Sequence, residues 1–383
     1  MKLSLKYFMK HIILFAIIVF SICHTTTSQV KDSEINIGTN YTISSKFLNQ
    51  EREIQIYLPN TYNNSSQNYP VLYILDGQWY FSSGVSIQKA LRTPGAIPEM
   101  IVVGIINSNP LRRTLFGEEN AKFTSFIKDE VIQFIDSNYR TTKERVIFGW
   151  EAAAYYISEL ILEERDLFSG AIITDGGYAP EEKVKRFSSD SDVYLYMANS
   201  KKDIYYVGSS DAFNEILTKH NPKHLIWKYE LFNEEVHETL GHLAMYKGIK
   251  YYYHNYDSLV YESFEAFENL GGLPYMETFY KERAKRFGGD GKIDDSAKNA
   301  LIWLAWNKDN FKYFNFFMTE FKDVLSTRRY DSAYWQNRFG QFYLKHKDYK
   351  NAIKYFENGI STYPNSTFDI VMKEGLKQAK RKN

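Results

Sequence analysis

Short apolar runs mark the strands predicted for the first two thirds of the chain. Residues 52–58 alternate apolar and polar side chains, which is the period of a half-buried strand. The runs at 71–75 and 100–106 are almost continuously apolar, as expected of strands buried on both faces. Further short strands are predicted at 145–148, 171–173, 193–197 and 225–232, and one or two edge strands in the polar segment 30–49.

Segments with helical spacing lie between these runs. Within residues 123–138 the apolar side chains recur every three or four positions, and residues 152–162 also favour a helix. Strands that alternate with helices predict a doubly wound, mostly parallel α/β sheet with helices on both faces.

The strand pattern stops after about residue 255, and the remainder is predicted to be a small all-α domain. We place the boundary between Tyr256 and Gly272 and divide the mature chain into residues 29–258 and 259–383. Residues 297–325 resemble a degenerate helix pair, and residues 368–380 a capping helix. Residues 335–364 carry a tetratricopeptide-like pattern of small and large side chains, for which an ordinary helical hairpin is the alternative. The residues at these positions are Phe339, Gly340, Tyr343, Ala352, Phe356, Gly359 and Pro364.

The first 28 residues have the pattern of an export signal. Three lysines precede the apolar run 12–22, which is too short to span a bilayer as a helix, and small polar residues follow it. We expect cleavage near Ser28, a mature chain without a membrane span, and a periplasmic or extracellular location. An uncleaved anchor is the alternative.

Cys23 is the only cysteine, and it lies within this signal. A lipoprotein signal requires a small residue before the modified cysteine, and the large Ile22 stands there instead, so lipid anchoring at Cys23 is the less favoured outcome. Removal of the signal would exclude disulfides and thiolate metal sites. The net charge of +1 gives no reason to expect a nucleic-acid partner.

Four segments together carry a family resemblance: residues 69–78, 97–105, 134–141 and 232–239. They are similar to the strand and oxyanion loop, the next strand, the approach to the nucleophile strand and the catalytic-histidine segment of the putative-esterase family of α/β-hydrolases. That family includes siderophore esterases and carbohydrate esterases. The likeness runs from about Arg52 to Tyr253, and it implies an α/β-hydrolase fold without a cofactor.

The resemblance assigns roles to individual residues. His237 matches the general base, and Asp203 is the nearest match to the acid that orients it, with Asp175 as a second candidate. The backbone N–H groups of Ala152 and of Gly77 or Gln78 match the oxyanion hole.

The nucleophile position departs from the family. The nucleophile turn of α/β-hydrolases reads G-x-S-x-G between a strand and a helix, whereas this chain has Gly149-Trp150-Glu151-Ala152-Ala153. A carboxylate is a poor attacker on esters, and we expect Glu151 to form an ion pair with His237. No metal site is predicted, because the other histidines show no ligand spacing: His220, His224, His242 and His254.

Three functions are consistent with these residues. The first is an esterase-family protein that has lost catalysis and binds a small ester-containing ligand, or a partner protein through the helical tail. The second is an active hydrolase that uses Glu151 and His237. The third is an interaction protein that works through the tail alone, since a fold does not fix a function.

Overall fold

The computed structural model describes residues 35–383 except 94, 109, 206 and 207. The predicted export signal and Cys23 lie outside the described residues. Residues Gly38–Asn383 form one compact unit. Within the described part of the chain, no helix is both long enough and apolar enough to cross a bilayer.

The described residues contain one eight-stranded sheet. Its strand order is β1-β2-β4-β3-β5-β6-β7-β8. Strand β2 pairs antiparallel with both β1 and β4, and all other neighbours are parallel. This confirms the predicted, mostly parallel sheet. The strands are β1 Thr39–Ser45, β2 Gln50–Tyr57, β3 Tyr69–Leu75, β4 Ile101–Ile105, β5 Thr141–Trp150, β6 Gly170–Thr174, β7 Val193–Ser200 and β8 Leu225–Phe232.

Helices connect the strands and then form the tail. Those of the first region are α1 Gly77–Arg92, α2 Leu111–Phe116, α3 Asn120–Ser125, α4 Gln133–Asn138, α5 Ala152–Glu163, α6 Glu181–Arg186, α7 Ser209–His220 and α8 His237–Tyr252. Those of the tail are α9 Phe264–Asn269, α10 Gly272–Phe287, α11 Asp295–Asn307, α12 Phe311–Glu320, α13 Lys322–Leu325, α14 Ala333–Lys345, α15 Tyr349–Thr362 and α16 Asp369–Lys382.

The sheet is buried on both faces, as its apolar runs predicted. Along β3, Val71, Tyr73 and Leu75 enter one core cluster, and Leu72 and Ile74 enter a second on the opposite face. This alternation follows from the two-residue period of a strand. Because every residue of β3 is buried, its sequence shows no alternation of apolar and polar residues.

Two predicted elements differ from the structure in detail. The predicted strand 145–148 is too short, because β5 continues through Gly149 and ends at Trp150. The predicted helix 123–138 contains the π-helical stretch Phe126–Ile132 between α3 and α4. A wider helical turn of this kind leaves the apolar spacing almost unchanged, so periodicity does not reveal it.

The tail has an apolar core of its own, which runs from Tyr261 to Ala379. Its helices approach closely where the sequence has glycine. A Cβ atom on Gly340 of α14 would lie 2.6 Å from the ring of Phe356 on α15. This close approach suits the repeat prediction but does not distinguish a tetratricopeptide repeat from another helical hairpin.

The domain boundary near residue 258 stays a prediction, and one contact bears on how to test it. Phe287, at the end of α10, belongs to the same core cluster as Tyr253 and the sheet residue Leu72. Arg286 beside it forms an ion pair with Glu144 of β5 at 3.0 Å. A truncation meant to isolate the first domain should therefore end after α10.

Candidate active site

The order of the strands places the candidate site at one edge of the sheet. The chain order reverses between β3 and β5, which are neighbours. In open α/β sheets, ligands bind beyond the carboxyl ends of the strands at such a reversal. Asp76 directly follows β3, and Glu151 directly follows β5.

Glu151 forms the tight turn between β5 and α5. Its backbone angles are φ 54° and ψ −118°, a conformation that costs about 1–3 kcal/mol for a residue with a side chain. The Glu151 N–H donates to the carbonyl oxygen of Thr174 on β6 at 3.0 Å. The strained turn typical of a nucleophile elbow is therefore formed, and it carries a carboxylate.

Small residues allow this turn to close. A Cβ atom on Gly149 would lie 2.9 Å from the Cβ of Ala153, which stands where the family motif has its second glycine. A Cβ on Gly176 would lie 2.8 Å from the carbonyl oxygen of Glu151. Ala153 is thus tolerated, since Gly149 leaves room for its methyl group.

The carboxylate of Glu151 is bound by arginine. Arg112 donates from Nη1 to Glu151 Oε2 at 2.6 Å, and Nη2 of Arg113 lies 3.8 Å from Oε1. The Arg112 side chain is 4% exposed, the Glu151 side chain 31% and the Arg113 side chain 81%. The prediction of an ion pair between Glu151 and His237 is wrong. Among the described residues, Glu151 pairs with these two arginines, and His237 pairs with Asp203.

Arg112 also holds the residue that follows β3. Its Nε and Nη2 donate to the two carboxylate oxygens of Asp76, both at 2.9 Å, and Nη2 donates to the Trp150 carbonyl oxygen at 3.0 Å. Burial raises the pKa of Asp76 to about 6, although the hydrogen bonds from Arg112 act in the opposite direction. One buried guanidinium therefore joins two carboxylates and the last residue of β5.

The predicted oxyanion donors begin the two helices on either side of this guanidinium. Gly77 and Gln78 open α1, and Ala152 opens α5. Backbone N–H groups in the first turn of a helix have no acceptor within the helix. The Gln78 side chain is fixed by the backbone of Asn107, to which it donates at 2.9 Å and from which it accepts at 3.1 Å. The donors' elements are in place, and their role stays a prediction.

His237 and Asp203 meet as the family resemblance implied. His237 Nδ1 lies 2.7 Å from Asp203 Oδ2, and both side chains are buried. The other carboxylate oxygen of Asp203 accepts from the Tyr205 N–H at 2.7 Å. Of the two candidate acids, Asp203 rather than Asp175 is therefore the hydrogen-bonded partner of His237. His237 opens α8.

Asp175 lies beside this pair. It directly follows β6, with φ 50°, and its carboxylate accepts from the Ser200 N–H at 3.3 Å and from the Thr174 hydroxyl at 3.2 Å. Burial raises the pKa of Asp175 to about 7, against the lowering effect of His237. One potential ligand atom from each of Asp175, Asp203 and His237 lies within 4.8 Å of the other two.

Trp150 connects the two parts of the site. Its ring lies 4.6 Å from the imidazole of His237, and its Nε1–H donates to the His237 carbonyl oxygen at 3.1 Å. Its own carbonyl oxygen accepts from Arg112. Trp150, the residue before Glu151, thus contacts both His237 and Arg112.

The four other histidines considered in the sequence have partners outside this cluster. His220 contacts Glu181, His224 contacts Asp192, His242 contacts Ser83 and His254 contacts the Tyr251 carbonyl oxygen, at 2.6 to 2.9 Å.

Sequence reasoning missed Arg112 and Asp76. Asp76 lies inside a segment that carries the family resemblance, but it was assigned only to a loop. Arg112 lies 39 positions before Glu151, and no spacing rule connects them. The sequence offered one signal for each residue. Asp76 is a charged residue directly after a predicted strand, and Arg112 is a charged residue in the short segment after the next one.

Comparison with known proteins identifies the family. The model of the putative esterase family matches residues 45–268. The uncharacterized protein YbbA of Bacillus subtilis is 26% identical over an alignment of 106 positions, and the match covers 24% of this chain and 42% of that protein. The chain thus matches less than half the length of this curated relative.

Solved structures share the fold. An IroE-like serine hydrolase from Shewanella oneidensis is 22% identical with a TM-score of 0.58, over 74% of this chain and 98% of that one. An uncharacterised protein from Capnocytophaga ochracea is 18% identical with a TM-score of 0.58, over 90% and 99% of the two chains. At these identities the likeness shows the fold alone. Because the family match covers more than half of its residues, the chain belongs to the putative esterase family.

Proposed function

We propose that this protein keeps the esterase site as a binding site and does not hydrolyse esters through the elbow residue. The observation that carries the proposal is the 2.6 Å contact between Arg112 Nη1 and Glu151 Oε2. A nucleophile needs an available electron pair. Here the carboxylate that stands in the position of the serine is held by a buried cation.

The chemistry of a carboxylate supports this proposal. Attack by Glu151 on an ester would form an anhydride, which is more reactive than the ester it replaces. It would also break the charge-assisted hydrogen bond to Arg112, and such bonds are about twice as strong as neutral ones. His237 offers no compensation, because a carboxylate has no proton for a general base to remove.

An active hydrolase is the second candidate, and the intact pair of His237 and Asp203 favours it. A protein with no use for acid–base chemistry has no need for a buried imidazole oriented at 2.7 Å by a carboxylate. In this candidate, Glu151 would leave Arg112 and act as nucleophile or as general base on water.

The ligand and location are also proposals. We propose a small ester-containing ligand at the site, since the solved structures with this fold include an IroE-like serine hydrolase and the siderophore hydrolase EstA from Aspergillus nidulans, the latter with a TM-score of 0.50 and 14% identity. We also propose export with removal of residues 1–28, and a protein partner for the helical tail.

A hydrolysis panel tests the proposed function. Wild type and Glu151→Gln are assayed against activated esters, alkyl halides and epoxides, with labelling by a fluorophosphonate as a second readout. The proposal expects no turnover above background in wild type and no difference between the two proteins. Turnover by wild type that disappears in Glu151→Gln would establish the second candidate instead.

A further inference from the structure

Strand β8 stands at one end of the sheet and pairs only with β7. The carbonyl oxygens of His224 and Phe232 accept from N–H groups at the two ends of β7, so the even-numbered residues of β8 direct their backbone groups inward. The odd-numbered Trp227, Tyr229 and Leu231 therefore direct theirs outward. Within the described part of the chain, no further strand and no loop backbone pairs with these three.

This edge has the properties of a strand that pairs with another chain. It is eight residues long, contains no proline or glycine, and is rich in aromatic and branched side chains. Only Leu225 is buried, and Ile226 is 38% exposed. Edge strands are commonly protected by proline, by a bulge or by lysine, and of these β8 has one lysine, Lys228. Its outward backbone groups are therefore available to a partner strand.

We propose that β8 pairs antiparallel with β8 of a second copy of this chain, about a two-fold axis at Tyr229. In this register, Lys228 of each copy lies opposite Glu230 of the other, and Ile226 lies opposite Phe232. The strand is thus complementary to its own reverse in both charge and apolar character, as a symmetric interface requires. Every such pair occurs twice, once on each side of the axis.

The charges select this register over its neighbours. A shift of two residues in one direction places Lys228 opposite Lys228, and a shift in the other places Glu230 opposite Glu230. Like charges directly opposite one another destabilise a strand pair. A shift of one residue sets outward backbone groups against inward ones, so that the ladder cannot form. Larger shifts leave fewer residues paired.

The charged side chains are placed to reach across the edge. Lys228 and Glu230 lie on the same side of β8, with Nζ 2.9 Å from Oε1, and their side chains are 48% and 24% exposed. Glu230 also accepts from the Tyr196 hydroxyl and lies 3.6 Å from Lys247. In an antiparallel pair, residues that exchange no backbone hydrogen bonds have the closest side chains. Because Lys228 and Glu230 direct their backbone toward β7, they occupy these close positions.

Sedimentation velocity over a concentration series tests the inference. We expect wild type to show a monomer–dimer equilibrium. Lys228→Glu should raise the dimer dissociation constant by about ten-fold or more, because two symmetry-related pairs become repulsive. Lys250→Glu is the matched control, since it makes the same change of charge at an exposed residue of α8, outside the strand. The control should leave the dissociation constant unchanged.

Exchange of the two charges gives a sharper test. Lys228→Glu and Glu230→Lys should each weaken the homodimer, whereas an equimolar mixture of the two variants should form heterodimers. In the mixture, every charge at positions 228 and 230 faces an opposite charge. The double variant Lys228→Glu/Glu230→Lys should likewise dimerise more tightly than either single variant.

Hydrogen exchange provides a readout that needs no substitution, in case Glu230→Lys, which loses the Tyr196 contact, does not fold as judged by circular dichroism. The amides of Trp227, Tyr229 and Leu231 in wild type should exchange more slowly at high protein concentration than at low. A monomer throughout the series, a dimer insensitive to Lys228→Glu, or exchange independent of concentration would each overturn the inference. None of these measurements involves Glu151, so the inference stands or falls separately from the proposed function.

Discussion

The two halves of the candidate site treat their buried acids differently. At the elbow, Glu151 and Asp76 share the guanidinium of Arg112, and every charge has a partner of opposite sign. On the other side, Asp203 pairs with His237, and Asp175 beside them accepts hydrogen bonds from Ser200 and Thr174. The first half is a closed ion-pair network, and the second keeps the oriented imidazole of a hydrolase. The same sheet edge therefore holds one cluster of acids neutralised by arginine and another oriented around an imidazole.

Replacement of the elbow residue should have the largest effect on this contrast. We expect Glu151→Ser to gain fluorophosphonate labelling and slow hydrolysis of activated esters, at least ten-fold above wild type. Loss of a triad nucleophile costs roughly 10⁶ in turnover, so a partial gain is measurable.

The double variant Glu151→Ser/His237→Ala is the control for this gain. It should lose the labelling, because the serine then has no base. Equal labelling of the single and double variants would mean that the second half of the site does not act as a base.

Removal of the shared cation should destabilise the elbow half strongly. Arg112→Met leaves Asp76 and Glu151 without their buried partner, and we expect the free energy of unfolding to fall by about 3–5 kcal/mol. Chemical denaturation at pH 7 measures it. Arg113→Met, at an 81% exposed side chain, is the matched control and should change stability by less than about 0.5 kcal/mol. Similar effects of the two substitutions would contradict the central place of Arg112.

The pH dependence of stability should report Asp76. Its pKa is raised from 3.8 to about 6 by burial, so the folded protein holds a proton that the unfolded chain releases between these values. The contribution of Asp76 to stability is therefore fully present below about pH 4 and is lost as the pH rises through about 6.

Asp76→Asn removes this titration. Relative to wild type, its free energy of unfolding should improve by about 1–3 kcal/mol between pH 4 and pH 7. Denaturation curves at both pH values measure the change. Parallel pH profiles of the two proteins would show that Asp76 has an ordinary pKa.

The smallest effect is expected where the halves are joined. Trp150→Phe keeps an aromatic side chain, although a smaller one, and loses the hydrogen bond to the His237 carbonyl oxygen, at a cost of about 0.5–1.5 kcal/mol for that bond. Trp79→Phe is the control, because the Trp79 ring contacts Trp150 at 5.8 Å and is about half exposed. A larger cost at Trp79 would mean that Trp150 does not link the halves.

The strands of the sheet could be predicted from the sequence more fully than the pairing of charged side chains within the site. Buried runs such as 71–75 carry their own signal, because a parallel strand covered on both faces is apolar throughout. The pairing of His237 with Asp203 was also predicted, from the family resemblance, and the structure places them at 2.7 Å. These features depend on local pattern or on an established order of motifs.

The partner of Glu151 could not be predicted in the same way. Arg112 comes from a short helix after β4. It reaches Glu151 because β3 and β5 are neighbours in the sheet, although β4 lies between them in the sequence. Asp175, Asp203 and His237 likewise come from the separate segments that follow β6, β7 and β8. Contacts between such distant positions follow from the three-dimensional arrangement, and periodicity does not record them.

The central claim is that Glu151 does not carry out ester hydrolysis. The most direct measurement is the turnover of an activated ester by wild type and by Glu151→Gln, side by side at pH 7. We expect both proteins to stay at the background rate, because the carboxylate is bound by Arg112 and has no catalytic function to lose. Turnover by wild type that is abolished by Glu151→Gln would contradict it.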